Sequence, residues 1–319
     1  MGSFFRSTGV DPDSAEARFE RVVRLLRGDG RVNEPFVAEE VEALAQAGRA
    51  DAARLAATIA AVGYGRTQDW GAALDWLVRA AEADDASAQG QLRLLAHAEG
   101  GDWRALARAV DVAAWSAARP TRLVVERPRI GAGEAFLEPR VCAWLIERAG
   151  PLQEASLVYD PMSGKPAQSE ARTNTVATFP LLDLDLPLVL IRERIAATMS
   201  VASAHLERTS VFRYVVGQTF ASHFDFLSPS PQLNQEIARW GQRPVTFLVY
   251  LNDAFEGGET HFIALDKKLR GGVGDALFFH NVDEDGAPDP LTEHAGAPPT
   301  SGEKWLLSQF IRDRPQLPG

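Results

Sequence analysis

Four of the six histidines lie between residues 223 and 294, and the first of them begins the run His223-Phe224-Asp225. On an extended segment, residues i and i+2 project to the same side of the backbone, so this imidazole and this carboxylate can converge on one ion. Two histidines and one carboxylate on a single face suit divalent iron and leave its other coordination positions open. A His-x-Asp run alone is common, so an iron site requires a second histidine from elsewhere in the chain.

His294 is the candidate for that second histidine, because an unusual lysine follows it by ten residues. The chain has four lysines against 29 arginines, and Lys304 begins the apolar run Lys304-Trp305-Leu306-Leu307. A cation placed there could bind the remote carboxylate of a dicarboxylate. The alternative is an ordinary strand-end lysine whose side chain extends to water.

Five ordered motifs within residues 121–319 resemble those of the 2-oxoglutarate- and Fe(II)-dependent prolyl 4-hydroxylases. They are Arg213-Tyr214-x-x-Gly217-Gln218-x-Phe220-x-x-His223-x-Asp225, Gly257-Gly258-Glu259-Thr260, Gly274-Asp275-Ala276-Leu277, His294-x-Gly296 and Gly302-x-Lys304-Trp305. The resemblance implies an enzyme that decarboxylates 2-oxoglutarate to succinate and CO2 while it hydroxylates an aliphatic carbon. It also implies Fe(II), with 2-oxoglutarate and O2 as cosubstrates and ascorbate as a possible further cofactor.

The resemblance assigns roles to eight positions of this sequence. The implied catalytic iron ligands are His223, Asp225 and His294. The implied 2-oxoglutarate pocket has Lys304 on the 5-carboxylate, with Tyr214 and Thr260 as hydroxyl donors. The residues expected to position the substrate are Arg243 and Arg172.

The sequence departs from the family pattern at three places, and the first two lie near where the family holds its substrate. Phe220 stands where the family often has tyrosine, Phe310 where it has tryptophan, and His261-Phe262-Ile263 follows Gly-Gly-Glu-Thr where Phe-Pro is usual. A prolyl residue of a protein or peptide is the favoured substrate. A free amino acid or small metabolite is the alternative, as is a non-catalytic scaffold or sensor.

Two further histidines are weaker candidates for iron ligands. His261 would share a strand face with Glu259, but it lacks a lysine partner like that of His294. His280 ends an apolar run and is better explained as a hydrogen-bonded residue at the end of a strand.

The first 120 residues are rich in alanine and contain no lysine, a composition that favours helices. Apolar residues at three- and four-residue spacings predict helices over 13–27, 38–47, 53–62, 72–81 and 88–95. The stretch 71–95 resembles Sel1-like and tetratricopeptide repeats, and Asp69-Trp70-Gly71-Ala72 recurs 33 residues on as Asp102-Trp103-Arg104-Ala105. An ordinary helical bundle is the alternative to a solenoid.

After Pro120 the sequence changes to short Val, Ile, Thr and Phe runs separated by turn residues. Strands are predicted over 123–126, 157–159, 211–216, 244–251, 260–264, 276–280 and 305–312, with helices over 136–149 and 188–203. We therefore expect an α+β protein: a solenoid-like helical domain over 1–118, then a double-stranded β-helix (jelly-roll) domain with supporting helices over 119–319.

Composition excludes several other classes of protein. The chain has 33 basic and 43 acidic residues, a net charge of −10, so no basic surface for nucleic acid is expected. Its single cysteine, Cys142, provides neither an intramolecular disulfide nor a Cys-based zinc site. With no secretory signal and no apolar run of transmembrane length, we expect a cytoplasmic protein without a membrane partner. The helical domain is expected to dock the substrate or to form a dimer; the sequence leaves the oligomeric state open.

Overall fold

The computed structural model describes residues 11, 13–30, 32–160, 165–231 and 233–316. The chain divides into two units. One runs to Val112 and also includes Leu181–Val189, and the other comprises Ala113–Pro180 and resumes at Leu190. The α+β class is confirmed, with helices in the N-terminal part and antiparallel sheets in the C-terminal part.

Capping side chains set where most N-terminal helices begin. The helices are α1 (Ala15–Leu26), α2 (Glu34–Gln46), α3 (Ala50–Val62), α4 (Trp70–Glu82), α5 (Ala86–Ala96), α6 (Trp103–Ala109) and α7 (Val112–Ser116). Asp69, Asp85 and Asp102 each accept a hydrogen bond from the backbone N–H three residues later. These carboxylates satisfy amides that the first helical turn leaves without partners.

The four helices predicted from residues 38, 53, 72 and 88 begin two to four residues earlier than the apolar pattern indicates. Apolar periodicity does not locate the first helical turn, whereas a capping side chain marks it in α2, α4 and α5. Helices α6 and α7 were not predicted, because seven and five residues are too few to establish a periodic pattern.

Alanine dominates the core of the helical unit. Helix α3 buries nine of its 13 residues, and six of those nine are alanines: Ala52, Ala53, Ala56, Ala57, Ala60 and Ala61. Small side chains allow neighbouring helices to approach closely, so most of the circumference of α3 can be buried. Thr58 and Gln91 bind the backbone of the Leu181–Val189 segment, at Leu184 and Leu186.

The C-terminal unit is built from short strands and three longer helices. The strands are β1 (Arg122–Val125), β2 (Ile130–Gly133), β3 (Glu154–Ala155), β4 (Val158–Asp160), β5 (Lys165–Ala167), β6 (Thr175–Phe179), β7 (Thr209–Tyr214), β8 (Phe220–His223), β9 (Val245–Tyr250), β10 (Phe255–Gly257), β11 (Thr260–Phe262), β12 (Lys267–Leu269), β13 (Ala276–His280), β14 (His294–Gly296), β15 (Pro299–Gly302) and β16 (Lys304–Ile311). The helices are α8 (Pro139–Ala149), α10 (Leu233–Trp240) and α9 (Leu186–Met199), whose first four residues belong to the other unit.

Two antiparallel sheets carry the residues of interest. The larger has the strand order β1-β2-β13-β9-β16-β7-β6-β3, and the smaller has the order β12-β11-β14-β8. Side chains of both sheets pack together: Phe262 of β11 meets the ring of Phe279 on β13 edge to face, with centroids 5.1 Å apart. The described residues also include two two-stranded ladders, β10-β15 and β4-β5.

All seven predicted strands occur; the strand over 276–280 has the predicted bounds, and the ends of the others are shifted. The remaining strands, of two to five residues, were missed because they are too short for a clear alternating pattern. The predicted helix over 136–149 begins only at Pro139, because the residue before a proline is kept out of the helical conformation and Glu138 is extended. The helix predicted over 188–203 starts at Leu186 and ends at Met199, because Ser200 has a positive φ of 56°. Helix α10 was not predicted.

None of the helices in the described residues combines the length and the apolar character needed to cross a bilayer.

Candidate iron centre and adjoining pocket

Three side chains meet where β8 and β14 pair. His223 is the last residue of β8, His294 is the first of β14, and the two lie directly opposite each other in the antiparallel ladder. Asp225 follows β8. Its Oδ1 is 3.4 Å from His223 Nε2, and its Oδ2 is 3.5 Å from His294 Nε2. Within the described residues this is the one group of three His, Cys, Asp or Glu side chains placed to hold a metal ion.

Backbone carbonyls orient both imidazoles. His223 Nδ1 lies 2.8 Å from the carbonyl oxygen of Ala221, and His294 Nδ1 lies 2.9 Å from that of Thr292. A proton on each Nδ1 would donate to these carbonyls and leave each Nε2 free to bind a metal. Burial also lowers the pKa of His294 to about 4, which keeps its imidazole neutral.

Asp225 is kept ionised although it is buried. Burial by itself raises the pKa of this carboxyl, but the neighbouring imidazoles of His294 and His223 and the hydroxyl of Thr246 outweigh it and hold the pKa below its usual range. Thr246 Oγ1 donates to Asp225 Oδ2 at 2.7 Å and accepts from Asn281 Nδ2 at 2.9 Å. The carboxylate is therefore both charged and fixed in orientation.

This donor set fits divalent iron. Metal–ligand bonds of about 2.1 Å at right angles place neighbouring ligand atoms about 3 Å apart. The distances from His223 Nε2 and His294 Nε2 to the nearer Asp225 oxygens, 3.4 and 3.5 Å, exceed that value by only a few tenths of an ångström. Two imidazoles and one carboxylate form the facial arrangement that leaves three octahedral positions open.

Aromatic rings pack around the two histidines. Phe220 stacks on His223 with ring centroids 3.5 Å apart and planes 16° from parallel. Phe279 meets His294 edge to face at 4.7 Å. On the other face of Phe220 lies the guanidinium of Arg172, 4.4 Å from the ring centroid. The Arg172–Phe220–His223 stack restricts rotation of one candidate ligand.

A pocket of about 230 Å³ adjoins the three side chains and contains the other expected site residues. Its lining includes His223, Asp225, His294, Lys304, Tyr214, Thr260, Arg172 and Arg243. The structure thus brings all eight sequence-predicted site residues to one cavity.

Lys304 is a buried cation of this pocket. It is 1% exposed, and its Nζ lies 5.1 Å from the ring centroid of Tyr214 and 5.5 Å from that of Tyr250. Burial lowers the pKa of Lys304 to about 7, with Glu259 opposing that shift. In the part of the chain that is described, Lys304 Nζ has no hydrogen-bond or ion-pair partner. An incoming carboxylate would supply one.

Tyr214 and Thr260 lie beside this lysine. Tyr214 pairs with Lys304 across β7 and β16, and burial raises the pKa of its phenol. The hydroxyls of Thr260 and Tyr250 are 3.2 Å apart, and Tyr250 also donates to the carbonyl of Leu269. Gly258 adopts a φ of +69°, and a Cβ there would lie 2.8 Å from the Phe255 ring and 3.3 Å from Lys304 Cδ. Glycine is thus required where the chain passes the lysine stem.

Similar proteins show the family of this chain. The family model of the 2OG-Fe(II) oxygenase superfamily matches residues 209–312. Prolyl 4-hydroxylase 1 of Arabidopsis thaliana is 33% identical over 201 residues, which cover 59% of this chain and 70% of the plant protein. The chain belongs to the prolyl 4-hydroxylase family.

A viral relative and a viral structure are also similar to the family domain. A putative prolyl 4-hydroxylase of Acanthamoeba polyphaga mimivirus is 37% identical over 126 residues, covering 39% of this chain and 52% of the viral protein. The 2OG complex of the viral collagen prolyl hydroxylase vCPH from Paramecium Bursaria Chlorella virus-1 is 26% identical and covers 57% of this chain and 95% of its own, with a TM-score of 0.44.

Membership of the prolyl 4-hydroxylase family makes the protein a 2-oxoglutarate-dependent dioxygenase that uses Fe(II), 2-oxoglutarate and O2. The expectation drawn from the five motifs is confirmed in these respects.

The two arginines of the pocket differ in charge compensation. Arg243 makes a two-pronged ion pair with Glu207 at 2.6 and 2.9 Å and lies 4.1 Å from the centroid of Phe310. The side chain of Arg172 makes only one hydrogen bond among the described residues, from Nε to Asn174 Oδ1 at 3.3 Å. Burial lowers the pKa of Arg172, whereas Glu207 outweighs the same effect and raises that of Arg243.

His261 and His280 lie outside the metal cluster. His261 Nε2 is 3.2 Å from Asp266 Oδ1, and His280 is half-buried at the end of β13, where burial lowers its pKa.

Sequence reasoning missed Thr246, Tyr250 and Asn281, which support Asp225 and Thr260. Thr246 and Tyr250 belong to β9, all six of whose residues are buried. Polar residues inside a continuous apolar strand were the available signal, since a buried hydroxyl requires a partner.

Proposed function

We propose that this protein hydroxylates prolyl residues of a protein or peptide substrate, with succinate and CO2 as the other products. The observation that carries the proposal is the convergence of His223, Asp225 and His294 on one pocket that also contains the unpaired Lys304. The similarity to prolyl 4-hydroxylases supports a prolyl substrate.

Iron would be held by Nε2 of His223, Nε2 of His294 and the carboxylate of Asp225. When bound, Fe(II) activates O2 for the decarboxylation of 2-oxoglutarate and the hydroxylation of carbon. The chain's own task is to hold all three side chains in orientation and to keep the carboxylate ionised. The Ala221 and Thr292 carbonyls orient the two imidazoles, and the Thr246 hydroxyl orients the carboxylate and helps to keep it charged.

Lys304 would bind the 5-carboxylate of 2-oxoglutarate, with the Tyr214 and Thr260 hydroxyls lining the same pocket. A buried ammonium without a partner is costly, so a dicarboxylate that supplies the missing charge gains a strong hydrogen-bonded ion pair. The apolar rings around the lysine exclude water, which strengthens that pair.

Arg172 and Arg243 would position the substrate. The unpaired guanidinium of Arg172 has donors available for a carbonyl or carboxylate group of the substrate. Arg243 is already neutralised by Glu207, so its part would be to hold the wall formed with Phe310. Phe220 and Phe310 would pack against the aliphatic ring of a prolyl residue.

The proposed fold combines a double-stranded β-helix with a helical solenoid. The packing of an eight-stranded antiparallel sheet on a four-stranded one supports a double-stranded β-helix over 119–319. Successive short helices over 1–118, each in contact with the next from α1 to α6, support a Sel1-like solenoid that docks the substrate. A cytoplasmic location is proposed with them.

The proposal is tested first by spectroscopy and then by product analysis. Under anaerobic conditions, Fe(II) and 2-oxoglutarate should give a weak visible charge-transfer band with the wild-type protein. Admission of O2, with ascorbate present, should release succinate and add one oxygen atom to a proline-containing peptide, detected by mass spectrometry. Failure to form the band would favour a non-catalytic scaffold. Oxygen added to free proline but to no peptide would favour the small-metabolite alternative.

A matched pair of variants controls for loss of the fold. Asp225→Asn should abolish the band and succinate release. Asp266→Asn, which changes an exposed carboxylate beside a histidine outside the cluster, should leave both unchanged.

A further inference from the structure

A groove on the helical unit carries three arginines. It has a volume of about 380 Å³ and lies between α4 and α6. Its apolar lining includes Leu74 and Val78, and its charged lining consists of Arg79, Arg104 and Arg108 against the single carboxylate of Asp75. We call it the arginine groove.

Two of these arginines have no carboxylate partner. Arg104 makes a two-pronged ion pair with Glu82, at 2.8 and 3.2 Å. Arg79 lies over the ring of Trp76, 4.7 Å from its centroid, and Arg108 extends into solvent. Within the described residues, neither Arg79 nor Arg108 has an ion pair. Even with Arg104 offset by Glu82, the groove keeps an excess of positive charge over Asp75.

A second groove on the same unit provides an internal comparison. Its volume is about 420 Å³. Its lining has an excess of negative charge, with Glu39, Glu42 and Asp69 against Arg66. Arg66 is itself paired with Glu42. Two grooves of similar size on one unit thus differ mainly in charge.

The positive charge of the arginine groove opposes that of its surroundings. Residues 1–120 contain 14 arginines and no lysine against 18 acidic residues, a net charge of −4, and the whole chain carries −10. An acidic partner is repelled by most of such a surface, so it gains from a local positive site only when it docks there. The arginine groove is therefore selective for position as well as for charge.

We propose that the arginine groove binds an acidic segment of the protein substrate, outside the residue that is hydroxylated. Glutamate or aspartate side chains would pair with Arg79 and Arg108, and intervening aliphatic side chains would pack on Leu74 and Val78. The apolar floor favours a peptide over a small inorganic anion or a nucleic-acid backbone, because neither of those offers aliphatic side chains to bury. This inference rests on the proposed protein substrate.

Fluorescence polarisation with a labelled peptide tests this proposal on the full chain. The probe is a twelve-residue peptide in which glutamates alternate with leucine and alanine, and the control probe replaces each glutamate with glutamine. We expect the acidic probe to bind, the glutamine probe to bind at least about tenfold more weakly, and binding to weaken as salt screens the charges. An oligothymidylate that bound as tightly as the acidic probe would overturn the proposal.

Charge-matched variants locate the binding. Arg79→Ala/Arg108→Ala should raise the Kd of the acidic probe about tenfold. Arg24→Ala/Arg27→Ala removes the same charge from exposed positions at the end of α1 and should change the Kd less than about twofold. Equal losses in the two double variants would contradict a specific groove. Arg79→Lys/Arg108→Lys, which keeps the charge, should retain most of the affinity and so control for misfolding.

Hydroxylation of a short proline peptide without acidic residues separates this inference from the proposed function. Wild type and Arg79→Ala/Arg108→Ala should hydroxylate that peptide equally, because neither arginine lines the catalytic pocket. Failure of the wild type on every peptide would refute the proposed function, whereas hydroxylation without binding of the acidic probe would refute only the groove.

Discussion

The helical unit and the C-terminal unit, which contains the sheets and is called the sheet unit below, bury different kinds of side chain. Among described residues, the helical unit buries an alanine- and leucine-rich core with three polar exceptions, Thr58, Gln91 and Asp185. The sheet unit buries aspartate, histidine, lysine and arginine side chains as well as apolar ones. Apolar burial stabilises without an electrostatic cost, whereas each buried charge must be compensated.

Compensation distinguishes structural from functional charges within the sheet unit. Buried Arg194 donates to the backbone carbonyls of Ala114, Trp115 and Phe136, and buried Arg312 pairs with Glu207 and Glu236. Lys304 is buried as deeply but has no such partner among the described residues. Incomplete compensation therefore marks the pocket where a charged ligand is expected.

The largest change in metal affinity is expected from a substitution among His223, Asp225 and His294. Asp225→Asn removes the one anionic ligand while keeping its shape, so we expect Fe(II) or Mn(II) affinity to fall more than about 100-fold, beyond the usual loss for an outer-shell residue. Metal titration followed by the Mn(II) electron paramagnetic resonance signal measures this. Asp266→Asn serves as the control, and an Asp225→Asn protein with wild-type affinity would remove the basis of the proposed centre.

Lys304→Met should weaken the binding of 2-oxoglutarate but not that of the metal. The variant keeps the length and apolar stem of the side chain, so we expect 2-oxoglutarate affinity to fall about 30-fold or more while Mn(II) affinity stays within about twofold. Calorimetric titration with each ligand separates the two. Lys268→Met, at an exposed lysine, should change neither, and equal losses of metal and 2-oxoglutarate affinity would contradict the assigned role.

The same variant should change how stability depends on pH. The folded pKa of Lys304, about 7, lies below its usual value of 10.5, so the unfolded chain binds the extra proton between these values. The burial of charged Lys304 therefore destabilises the folded protein most below about pH 7, and this cost decreases as pH rises toward 10. We expect Lys304→Met without ligands to be about 1–4 kcal/mol more stable than wild type at pH 6, and this gain to diminish at pH 9. Urea unfolding at both values measures it, and a pH-independent difference would contradict the explanation.

A substitution in the core of the helical unit should lower stability without changing ligand affinity. Leu77→Ala in α4 removes a fully buried side chain, so we expect a loss of about 2–4 kcal/mol in the stability of the helical unit. Affinities for Mn(II) and 2-oxoglutarate should stay within about twofold of wild type. Thermal unfolding and ligand titration test the two parts, and a large loss of 2-oxoglutarate affinity would break the division of roles between the units.

The smallest effect is expected for the ring that stacks on His223. Phe220→Leu removes the aromatic pair, worth about 0.5–1.5 kcal/mol, so Mn(II) affinity should fall about two- to tenfold. Phe220→Tyr keeps the stack and should restore the affinity. A tyrosine variant as weak as the leucine variant would show that stacking does not orient this ligand.

The sequence indicated which residues line one pocket better than it indicated the strands around them. His223, Asp225, His294 and Lys304 occur in short motifs, and a motif constrains neighbouring positions directly. The partners of those residues could not be found in this way. The bonds from Thr246 to Asp225 and from Asn281 to Thr246 depend on how separate strands and loops pack, and no local pattern encodes that. Short strands such as β8 were missed for a related reason: four residues at a sheet edge take their conformation from their partners.

The pairing of His223 with His294 has a mechanical consequence. These residues face each other on the outermost strand of the smaller sheet and on its inner neighbour. An ion bound by both would link the two strands at that edge of the sheet. Its release would leave the outer strand held by backbone hydrogen bonds and by side-chain contacts such as the hydrogen bond from Ser222 to Glu293. At a concentration 100 times its Kd, such an ion adds about 2.7 kcal/mol against unfolding. Amide exchange in residues 220–223 would then report how much of the protein is loaded.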